Sequence, residues 1–249
     1  MLLEGKLAIV TGATGGIGFE TASRLVERGA TVLVCSRKLD RAEKASSEIG
    51  SGALPEQLDI ADSKSVLRLI AKVSRKYRRL DILVNIAGYP FDRKIWYKKF
   101  HEVKEDEIDK VINVDLKGTV RISQACIPLM MKRGGVIISI ASTPAIAGHT
   151  EGAPYTLAKS AIIAMTKHIA LEYGRNNIRA YALALGNIAT EATFNSMTDV
   201  ERKKAANENA MKKWGDPKEI ANAIASLASD DFSFATGNTI VLDGGTVIR

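Results

Sequence analysis

The sequence predicts one α/β domain built around a doubly wound parallel sheet of seven strands. Three observations lead to this fold. Apolar runs of strand length alternate with longer segments of helical periodicity along the chain. These runs are apolar without alternation, which is typical of parallel strands that helices cover on both faces. A glycine-rich turn follows the first run at once and opens the first helical segment.

The predicted strands span 6–12, 30–36, 54–60, 80–88, 135–142, 178–186 and 238–245. The predicted helices run from the glycine turn to Arg28, from the second strand to Ile49, and over 62–78, 105–133, 154–174 and 217–229. We expect Pro128 to disturb the helix over 105–133, because proline lacks the N–H that a helix interior needs.

One segment departs from the alternation. Residues 187–215 are polar, carry no strand pattern and precede the last helix. Within them, residues 190–214 spread Phe194, Met197, Met211 and Trp214 among polar neighbours. We expect this part to form a small helical substrate lid on a single domain over 1–249.

Composition narrows the classes of protein. The 249 residues are 46% hydrophobic and 25% charged, as in an ordinary globular protein. The chain shows no apolar run of membrane-spanning length, no cleavable-signal pattern and no CxxC pair, so we expect a cytoplasmic protein without membrane association. Three scattered histidines predict no metal site. The net charge of +7 lies in short basic clusters without a nucleic-acid-binding motif, so we expect no nucleic-acid partner.

The turn "TGATGGIG" joins the first strand to the first helix. Its glycines permit a tight turn and a close backbone approach, and the helix N-terminus offers N–H groups to a phosphate. The spacing is G-x-x-x-G-x-G rather than the usual dinucleotide pattern. The predicted phosphate-binding residues are Gly12, Thr14, Gly16, Ile17 and Gly18.

Tyr155 and Lys159 are one helical turn apart in an otherwise apolar helix, so their side chains share a face. Two interpretations stay open from these residues alone. Both side chains can pack their apolar stems and keep their polar tips wet. Alternatively, the ammonium favours the ionised form of the phenol, which makes the phenol a better base.

Five motifs occur together in order: "TGATGGIG", "NIAG" at 85–88, Asn113 in "VINVD", Ser142 in "SIAS", and "YTLAK" at 155–159. With them, the whole chain resembles the short-chain dehydrogenase/reductase family, and within it the 3-oxoacyl-thioester reductase branch. The resemblance implies a Rossmann-type sheet, a nicotinamide cofactor and a homotetramer.

The resemblance also implies a catalytic tetrad. Tyr155 would exchange a proton with the substrate oxygen, and Lys159 would assist it and bind the nicotinamide ribose. Ser142 would hold the substrate oxygen, while Asn113 would anchor a water that relays protons to Lys159.

Further cofactor contacts follow from the same resemblance. Asp59 and Ile60 would flank the adenine. Residues at the ends of three strands would line the rest of the cofactor, namely Asn85, Ala87, Gly88, Gly186, Ile188 and Thr190. Three positions depart from the family's usual residues: Ile86, Ala141 and Leu185.

The end of the second strand bears on the choice of cofactor. NAD-binding folds usually carry an acidic residue about 20 residues beyond the first glycine, whereas this chain has Ser36 followed by Arg37. A small hydroxyl leaves room for the 2′-phosphate of NADP, and a guanidinium can pair with it. The sequence therefore predicts NADP(H).

The segment 89–101 is aromatic and basic and follows the fourth strand. It either recognises an anionic substrate such as a phosphate-bearing thioester, or packs its aromatic side chains as a surface loop. His149 either faces substrate or lies in a solvated loop. The favoured function is NADPH-dependent reduction of a 3-oxoacyl thioester. The alternatives are a dehydrogenase of a secondary alcohol or sugar, and a cofactor-binding scaffold without turnover.

Overall fold

The computed structural model describes residues 2–248, apart from the side chain of Ala192. These residues form one parallel sheet with the strand order β3-β2-β1-β4-β5-β6-β7. The strands are β1 (Leu7–Thr11), β2 (Thr31–Ser36), β3 (Ala53–Gln57), β4 (Ile82–Asn85), β5 (Gly135–Ser142), β6 (Ile178–Leu185) and β7 (Asn238–Leu242). The predicted fold class is confirmed. Met1 and Arg249, which the predicted domain includes, lie outside the described residues.

The α-helices are α1 (Gly16–Glu27), α2 (Leu39–Ile49), α3 (Ser63–Tyr77), α4 (Arg93–Trp96), α5 (Glu105–Ile112), α6 (Thr119–Met130), α7 (Pro144–Ala147), α8 (Ala153–Tyr173), α9 (Glu191–Phe194), α10 (Asp199–Asn207) and α11 (Pro217–Ala228). Within residues 2–248, none of them combines the length and the apolar character needed to cross a lipid bilayer.

Two hydrophobic layers form because each central strand is apolar on both faces. Ala8 and Val10 of β1 pack in one cluster with residues of α1 and α11. Leu7 and Ile9, which alternate with them, pack in a second cluster with residues of α3, α6 and α8. Full burial of a valine, leucine or isoleucine side chain stabilises the fold by about 1.5–3 kcal/mol, so both clusters bind the sheet to its helices.

The predicted helix over 105–133 is interrupted, but not where the sequence suggested. A π-helical segment, Asn113–Gly118, separates α5 from α6. Pro128 lies inside α6, which continues to Met130. The expected disturbance at Pro128 is therefore wrong. A Cβ on Gly118 would lie 2.8 Å from the Ile60 side chain, so the wider turn sits where this stretch presses against the loop after β3.

The strand order places the functional edge of the sheet. In the sheet, β1 pairs with β2 on one side and with β4 on the other. The crossovers diverge at this point, and a crevice opens beyond the carboxyl ends of the two strands.

Several predicted strands end earlier than the apolar pattern suggested. For example, β3 ends at Gln57, and the Asp59 carboxylate then closes a turn by accepting a hydrogen bond from the Ala61 N–H at 2.9 Å.

Candidate active site

The glycine-rich turn after β1 is shaped by two close backbone approaches. Gly12 has φ +67°, and a Cβ there would lie 2.9 Å from the Cα of Ala87. A Cβ on Gly18 would lie 2.1 Å from the carbonyl oxygen of Gly12. Only glycine fits at either position, because any side chain would overlap backbone atoms. The turn therefore holds the start of α1 tightly against the ends of β1 and β4.

The first turn of α1 is open toward the crevice. Gly15 precedes the helix, and no side chain in the described part of the chain caps it. Unpaired N–H groups and the positive end of the helix dipole favour an anion at such a terminus. Thr190 lies over the turn, with its Cγ2 atom 3.1 Å from the position of a Cβ on Gly16. A side chain larger than hydrogen at Gly16 would therefore crowd Thr190, and the start of α1 stays open beside it.

The end of β2 carries an unpaired cation. Arg37 is exposed, and its carbonyl oxygen accepts a hydrogen bond from Gln57 Nε2 at 3.1 Å. Among residues 2–248, the guanidinium has no acidic partner within ion-pair distance. The Ser36 hydroxyl accepts a hydrogen bond from the Lys38 N–H at 3.3 Å. The basic and hydroxyl side chains predicted to select a 2′-phosphate are thus adjacent and accessible.

The predicted residues fall into groups around one cavity of about 600 Å³. Those that line it are Ile17, Gly88, Ser142, Tyr155, Lys159, Gly186, Ile188 and Thr190. Outside its lining lie Gly12, Thr14, Gly16, Gly18, Ser36, Arg37, Asp59, Ile60, Asn85, Ala87 and Asn113. The first group brings the residues predicted for catalysis together with those predicted to lie near the nicotinamide. The glycine turn and the end of β2 lie outside the cavity lining, next to it.

Asn85 does not point into the crevice. Its side chain is buried and donates hydrogen bonds from Nδ2 to Ser123 Oγ at 3.1 Å and to Ser139 Oγ at 3.0 Å. These contacts tie β4 to α6 and β5. The Asn85 side chain therefore serves the packing of the sheet, and any contact of this residue with a cofactor would come from its backbone at the end of β4.

Ser142, Tyr155 and Lys159 meet on one wall of the cavity. Ser142 ends β5, and its hydroxyl donates to the carbonyl oxygen of Leu185 at 3.3 Å. Lys159 Nζ lies 5.4 Å from the centroid of the Tyr155 ring and donates to the carbonyl oxygen of Ile140 at 3.0 Å. The ammonium is only 6% exposed. A hydroxyl, a phenol and a buried ammonium therefore share one wall of the cavity.

The fourth predicted member does not join them. Asn113 is exposed at the start of the π-helical segment. Asp115, two residues on and therefore on the opposite face, is 1% exposed, and its Oδ2 lies 4.0 Å from Lys159 Nζ. Burial raises the pKa of the Asp115 carboxyl, and the Lys159 ammonium partly opposes that shift. The Asn113 side chain thus lies outside the cavity lining, and the Asp115 carboxyl is the group next to Lys159; the water-anchoring role expected of Asn113 stays a prediction.

An aromatic wall stands opposite the sheet. The Trp96 ring lies 5.5 Å from Tyr155, 5.5 Å from Phe91 and 5.7 Å from His149, measured between centroids. Its Nε1 donates to Glu151 Oε2 at 3.1 Å. This wall comes from the aromatic side chains of the segment 89–101 and from the loop before α8. His149 is exposed and also lines the cavity.

The basic side chains of the same segment are used elsewhere. Arg93 donates to the carbonyl oxygen of Ser196 at 3.2 Å and pairs with Glu201 at 3.5 Å. Lys98 pairs with Glu107 at 2.6 Å. Neither side chain lines the cavity. Phe91, Trp96 and Tyr97 of this segment therefore line the site, whereas Arg93 and Lys98 pair with α10 and α5.

The segment predicted as a lid folds into α9 and α10. Phe194 and Trp214 pack edge to face with centroids 5.2 Å apart, and Arg202 lies 4.3 Å above the Phe194 ring. Met197 and Trp214 line the cavity, whereas Met211 is exposed. Three of the four apolar side chains of this segment thus pack together or line the cavity, Met211 does not, and the role of the segment as a lid stays a prediction.

Two functional positions escaped the sequence interpretation. The Thr11 hydroxyl accepts hydrogen bonds from the N–H groups of Ile86 at 3.0 Å and Ala87 at 3.1 Å, and so joins the glycine turn to the end of β4. Asp115 lies in the same motif as Asn113, but only the local helical period decides which side chain faces Lys159. A buried carboxylate two residues from a predicted asparagine was the available signal.

Known proteins match this sequence over nearly all of its length. A family model described as enoyl-(acyl carrier protein) reductase matches residues 12–247. The 3-oxoacyl-[acyl-carrier-protein] reductase of Thermotoga maritima is 36% identical, over 100% of both chains. The 7alpha-hydroxysteroid dehydrogenase of Bacteroides fragilis is 34% identical, over 99% of this chain and 96% of its own. Human dehydrogenase/reductase SDR family member 4 is 33% identical, over 99% of this chain and 89% of its own. The chain therefore belongs to the short-chain dehydrogenase/reductase family of oxidoreductases.

Proposed function

We propose that the protein catalyses hydride transfer between NADPH and a carbonyl group, and the reverse reaction on a secondary alcohol. One observation carries this proposal: Ser142, Tyr155 and Lys159 line the same cavity at the carboxyl edge of the sheet. A hydroxyl donor, a phenol and a buried ammonium are the groups needed to hold a carbonyl oxygen and move a proton to it.

The residues each have a distinct task in this reaction. The hydroxyl of Ser142 donates a hydrogen bond to the substrate oxygen and orients the carbonyl. Tyr155 gives its phenolic proton to that oxygen during reduction and takes it back during oxidation. Lys159 stabilises the phenolate that remains, because its charge lies close to the ring.

The crevice fits a nicotinamide dinucleotide, which supplies or accepts the hydride when bound. The glycine turn and the α1 N-terminus would hold its pyrophosphate, and Ile188 and Thr190 would lie near the nicotinamide end. Arg37 and Ser36 favour the 2′-phosphate of NADP over the free hydroxyl of NAD. The lid segment 190–214 would close over the substrate side, where Met197 and Trp214 already line the cavity.

The first substrate candidate is a 3-oxoacyl thioester. The Thermotoga relative carries that activity in its name, and the cavity can take an acyl chain because its lining is mostly apolar. The anionic part of a carrier thioester would remain outside, since the basic side chains of Arg93 and Lys98 face away from the cavity.

The aromatic wall favours a second candidate, a rigid apolar ketone or its alcohol. Flat rings suit a wall built from Phe91, Trp96 and Tyr155. The Bacteroides relative is named for a hydroxysteroid.

A substrate panel separates the two candidates. Purified enzyme would be assayed by NADPH absorbance with acetoacetyl thioesters, long-chain 3-oxoacyl thioesters, polycyclic ketones and sugars. A specificity constant at least tenfold higher for thioesters supports the first candidate, and the reverse order supports the second. Failure to turn over any carbonyl or alcohol with either cofactor would contradict the proposed function and favour a cofactor-binding scaffold.

A further inference from the structure

The buried pair of Asp115 and Lys159 has a charge arrangement that the proposed reaction does not yet explain. The Asp115 carboxyl is 1% exposed, and its Oδ2 atom lies 4.0 Å from an ammonium that is 6% exposed. Taking two charged groups out of water is costly unless other contacts compensate them. Such a pair next to the phenol of Tyr155 is therefore expected to affect its proton transfer.

Backbone contacts hold both side chains in place. The other carboxyl oxygen, Oδ1, accepts a hydrogen bond from the Tyr89 N–H at the end of the β4 loop. The Asp115 carbonyl oxygen accepts a hydrogen bond from the Thr119 hydroxyl at 2.7 Å. Lys159 donates to the carbonyl oxygen of Ile140. The carboxyl thus lies 4.0 Å from the ammonium, and the ammonium lies 5.4 Å from the centroid of the Tyr155 ring.

We propose that Asp115 is a positioning residue that acts through Lys159: its carboxylate offsets the ammonium charge and keeps the phenol of Tyr155 protonated to higher pH. The inference rests on the proposed function, in which a protonated phenol serves carbonyl reduction. An uncompensated ammonium would favour the phenolate more strongly and narrow the pH range in which Tyr155 can donate its proton.

Burial makes this effect large enough to measure. Opposite charges 4 Å apart interact several times more strongly in a protein interior than in water. The pair is also shielded from salt, because solvent ions do not reach it. An opposite charge within about 4–6 Å typically shifts an ionisation by about one pH unit or more, and the ammonium whose charge Asp115 offsets lies 5.4 Å from the Tyr155 ring centroid.

Other ionisable groups also face this part of the cavity. Its remaining titratable lining consists of Tyr89, Asp92, Tyr97, His149 and Glu208. On the adjoining helix α5, Asp106 pairs with Lys110 at 2.7 Å, and Glu107 pairs with Lys98. A substitution at Asp115 leaves all of these groups in place, so a change can be assigned to the lost carboxylate.

The test compares Asp115→Asn with the wild type and with Asp106→Asn. The amide keeps the shape of the carboxyl group and removes its charge. Asp106→Asn removes the same charge from the exposed surface of α5 and serves as the matched control. In the pH profile of kcat/KM for carbonyl reduction, the alkaline limb of Asp115→Asn should move to lower pH by roughly one unit. Asp106→Asn should leave that limb where it is.

A second readout needs no turnover. Phenolate absorbance is titrated against pH in the wild type and in Asp115→Asn, each compared with the same protein carrying Tyr155→Phe. The difference isolates Tyr155, and its midpoint should fall by about the same amount in Asp115→Asn. If the enzyme turned out to be inactive, the proposed function would be contradicted, but this titration would still test the effect of Asp115 on Tyr155.

The outcomes are separable. A lower midpoint in Asp115→Asn alone supports the proposal. Equal midpoints, a higher midpoint, or the same change in Asp106→Asn overturns it. If Asp115→Asn does not fold, Asp115→Ser supplies the same comparison, because the smaller hydroxyl also removes the charge.

Discussion

The indole of Trp96 packs edge-on against the phenol of Tyr155, with ring centroids 5.5 Å apart. The backbone holds this contact: the Gly152 N–H donates to the Trp96 carbonyl oxygen at 2.8 Å, and a Cβ on Gly152 would lie 2.6 Å from the indole ring. The wall of the cavity and the residue that moves the proton are therefore built as one unit.

Removal of this wall should weaken substrate positioning. Aromatic pairs contribute about 0.5–1.5 kcal/mol beyond the burial of their apolar area. Removal of the indole also takes away apolar surface that a bound substrate would cover. We expect Trp96→Ala to lower kcat/KM for an apolar ketone by about ten- to a hundredfold, mostly through KM, with unchanged cofactor affinity. Trp96→Phe keeps an aromatic ring and should retain most of the activity. Wild-type kcat/KM in Trp96→Ala would show that the wall does not contact substrate.

Tyr155→Phe should remove the proton donor and keep the ring. General acid–base catalysis is worth about 10²- to 10⁴-fold, so turnover should fall by that factor. NADPH affinity, measured by nucleotide fluorescence, should stay near the wild-type value. Tyr173→Phe makes the same change at the far end of α8 and should be fully active. Undiminished turnover in Tyr155→Phe would assign the proton transfer to another group.

Sequence patterns predicted the sheet well because each strand carries its own signal. The boundaries of β5 match the apolar run at 135–142, since Val136 and Ile137 are both buried on opposite faces. The choice between Asn113 and Asp115 could not be made in this way. It depends on a π-helical turn that packs through Gly118 against Ile60, far away in the sequence.

The orientation of Asn85 was also beyond the reach of sequence patterns. The hydroxyl groups that bind its side chain belong to Ser123 and Ser139, on α6 and β5. Both are common residues at unremarkable positions, and only the packed structure brings them to the end of β4. Local patterns therefore place the motifs, while long-range packing decides which side chains face the crevice.

The raised pKa of Asp115 makes a prediction about stability. Because burial disfavours its charged form, the folded state binds this proton more tightly than the unfolded chain does. The stabilisation from this bound proton is fully present below the pKa that the Asp115 carboxyl has in the unfolded chain. It is lost as the pH rises through the pKa that the carboxyl has in the folded protein. Asp115→Asn lacks this contribution, so its free energy of unfolding should rise relative to that of the wild type as the pH increases above about 4, the usual pKa of the carboxyl in an unfolded chain.

Urea unfolding at several pH values measures this difference. Asp106→Asn provides the comparison, because the pKa of the Asp106 carboxyl is lowered, chiefly by its hydrogen bond to Lys110. The relative stability of that variant should therefore change in the opposite direction with pH. A constant difference between the wild type and Asp115→Asn at every pH would show that the carboxyl does not titrate on folding.

An apolar stripe on α8 predicts self-association. Leu157, Ala164 and Leu171 are exposed at seven-residue intervals, and Leu171 is 89% exposed. Such a stripe suits packing against the same helix of a second copy. We propose a homotetramer, with the end of the chain from Val241 forming a second interface up to Ile248, the last described residue.

Leu171→Asp should reduce the molar mass measured by light scattering to that of a smaller assembly. Leu67→Asp places the same charge on α3, where Leu67 is 64% exposed outside the stripe, and should not change the mass. A wild-type protein that is monomeric at micromolar concentration would contradict the proposed tetramer.

The cofactor preference follows from the end of β2. Arg37 is exposed and has no acidic partner among residues 2–248, so its guanidinium is free to pair with a 2′-phosphate. Such a charge-assisted hydrogen bond contributes about 1.5–3 kcal/mol, which corresponds to a ten- to hundredfold preference. We therefore expect the wild type to prefer NADPH, with measurable activity toward NADH because the glycine turn offers no second basic residue.

Three variants test this preference. Arg37→Ala should lower kcat/KM for NADPH by about ten- to a hundredfold and leave the value for NADH nearly unchanged. Ser36→Asp should favour NADH, because a carboxylate repels the 2′-phosphate and can accept a hydrogen bond from the free hydroxyl. Lys38→Ala removes an adjacent exposed charge and should have a much smaller effect, which separates direct pairing from the general positive field of the chain. A wild-type ratio of specificity constants near one, or one that favours NADH, would overturn the assignment of Arg37.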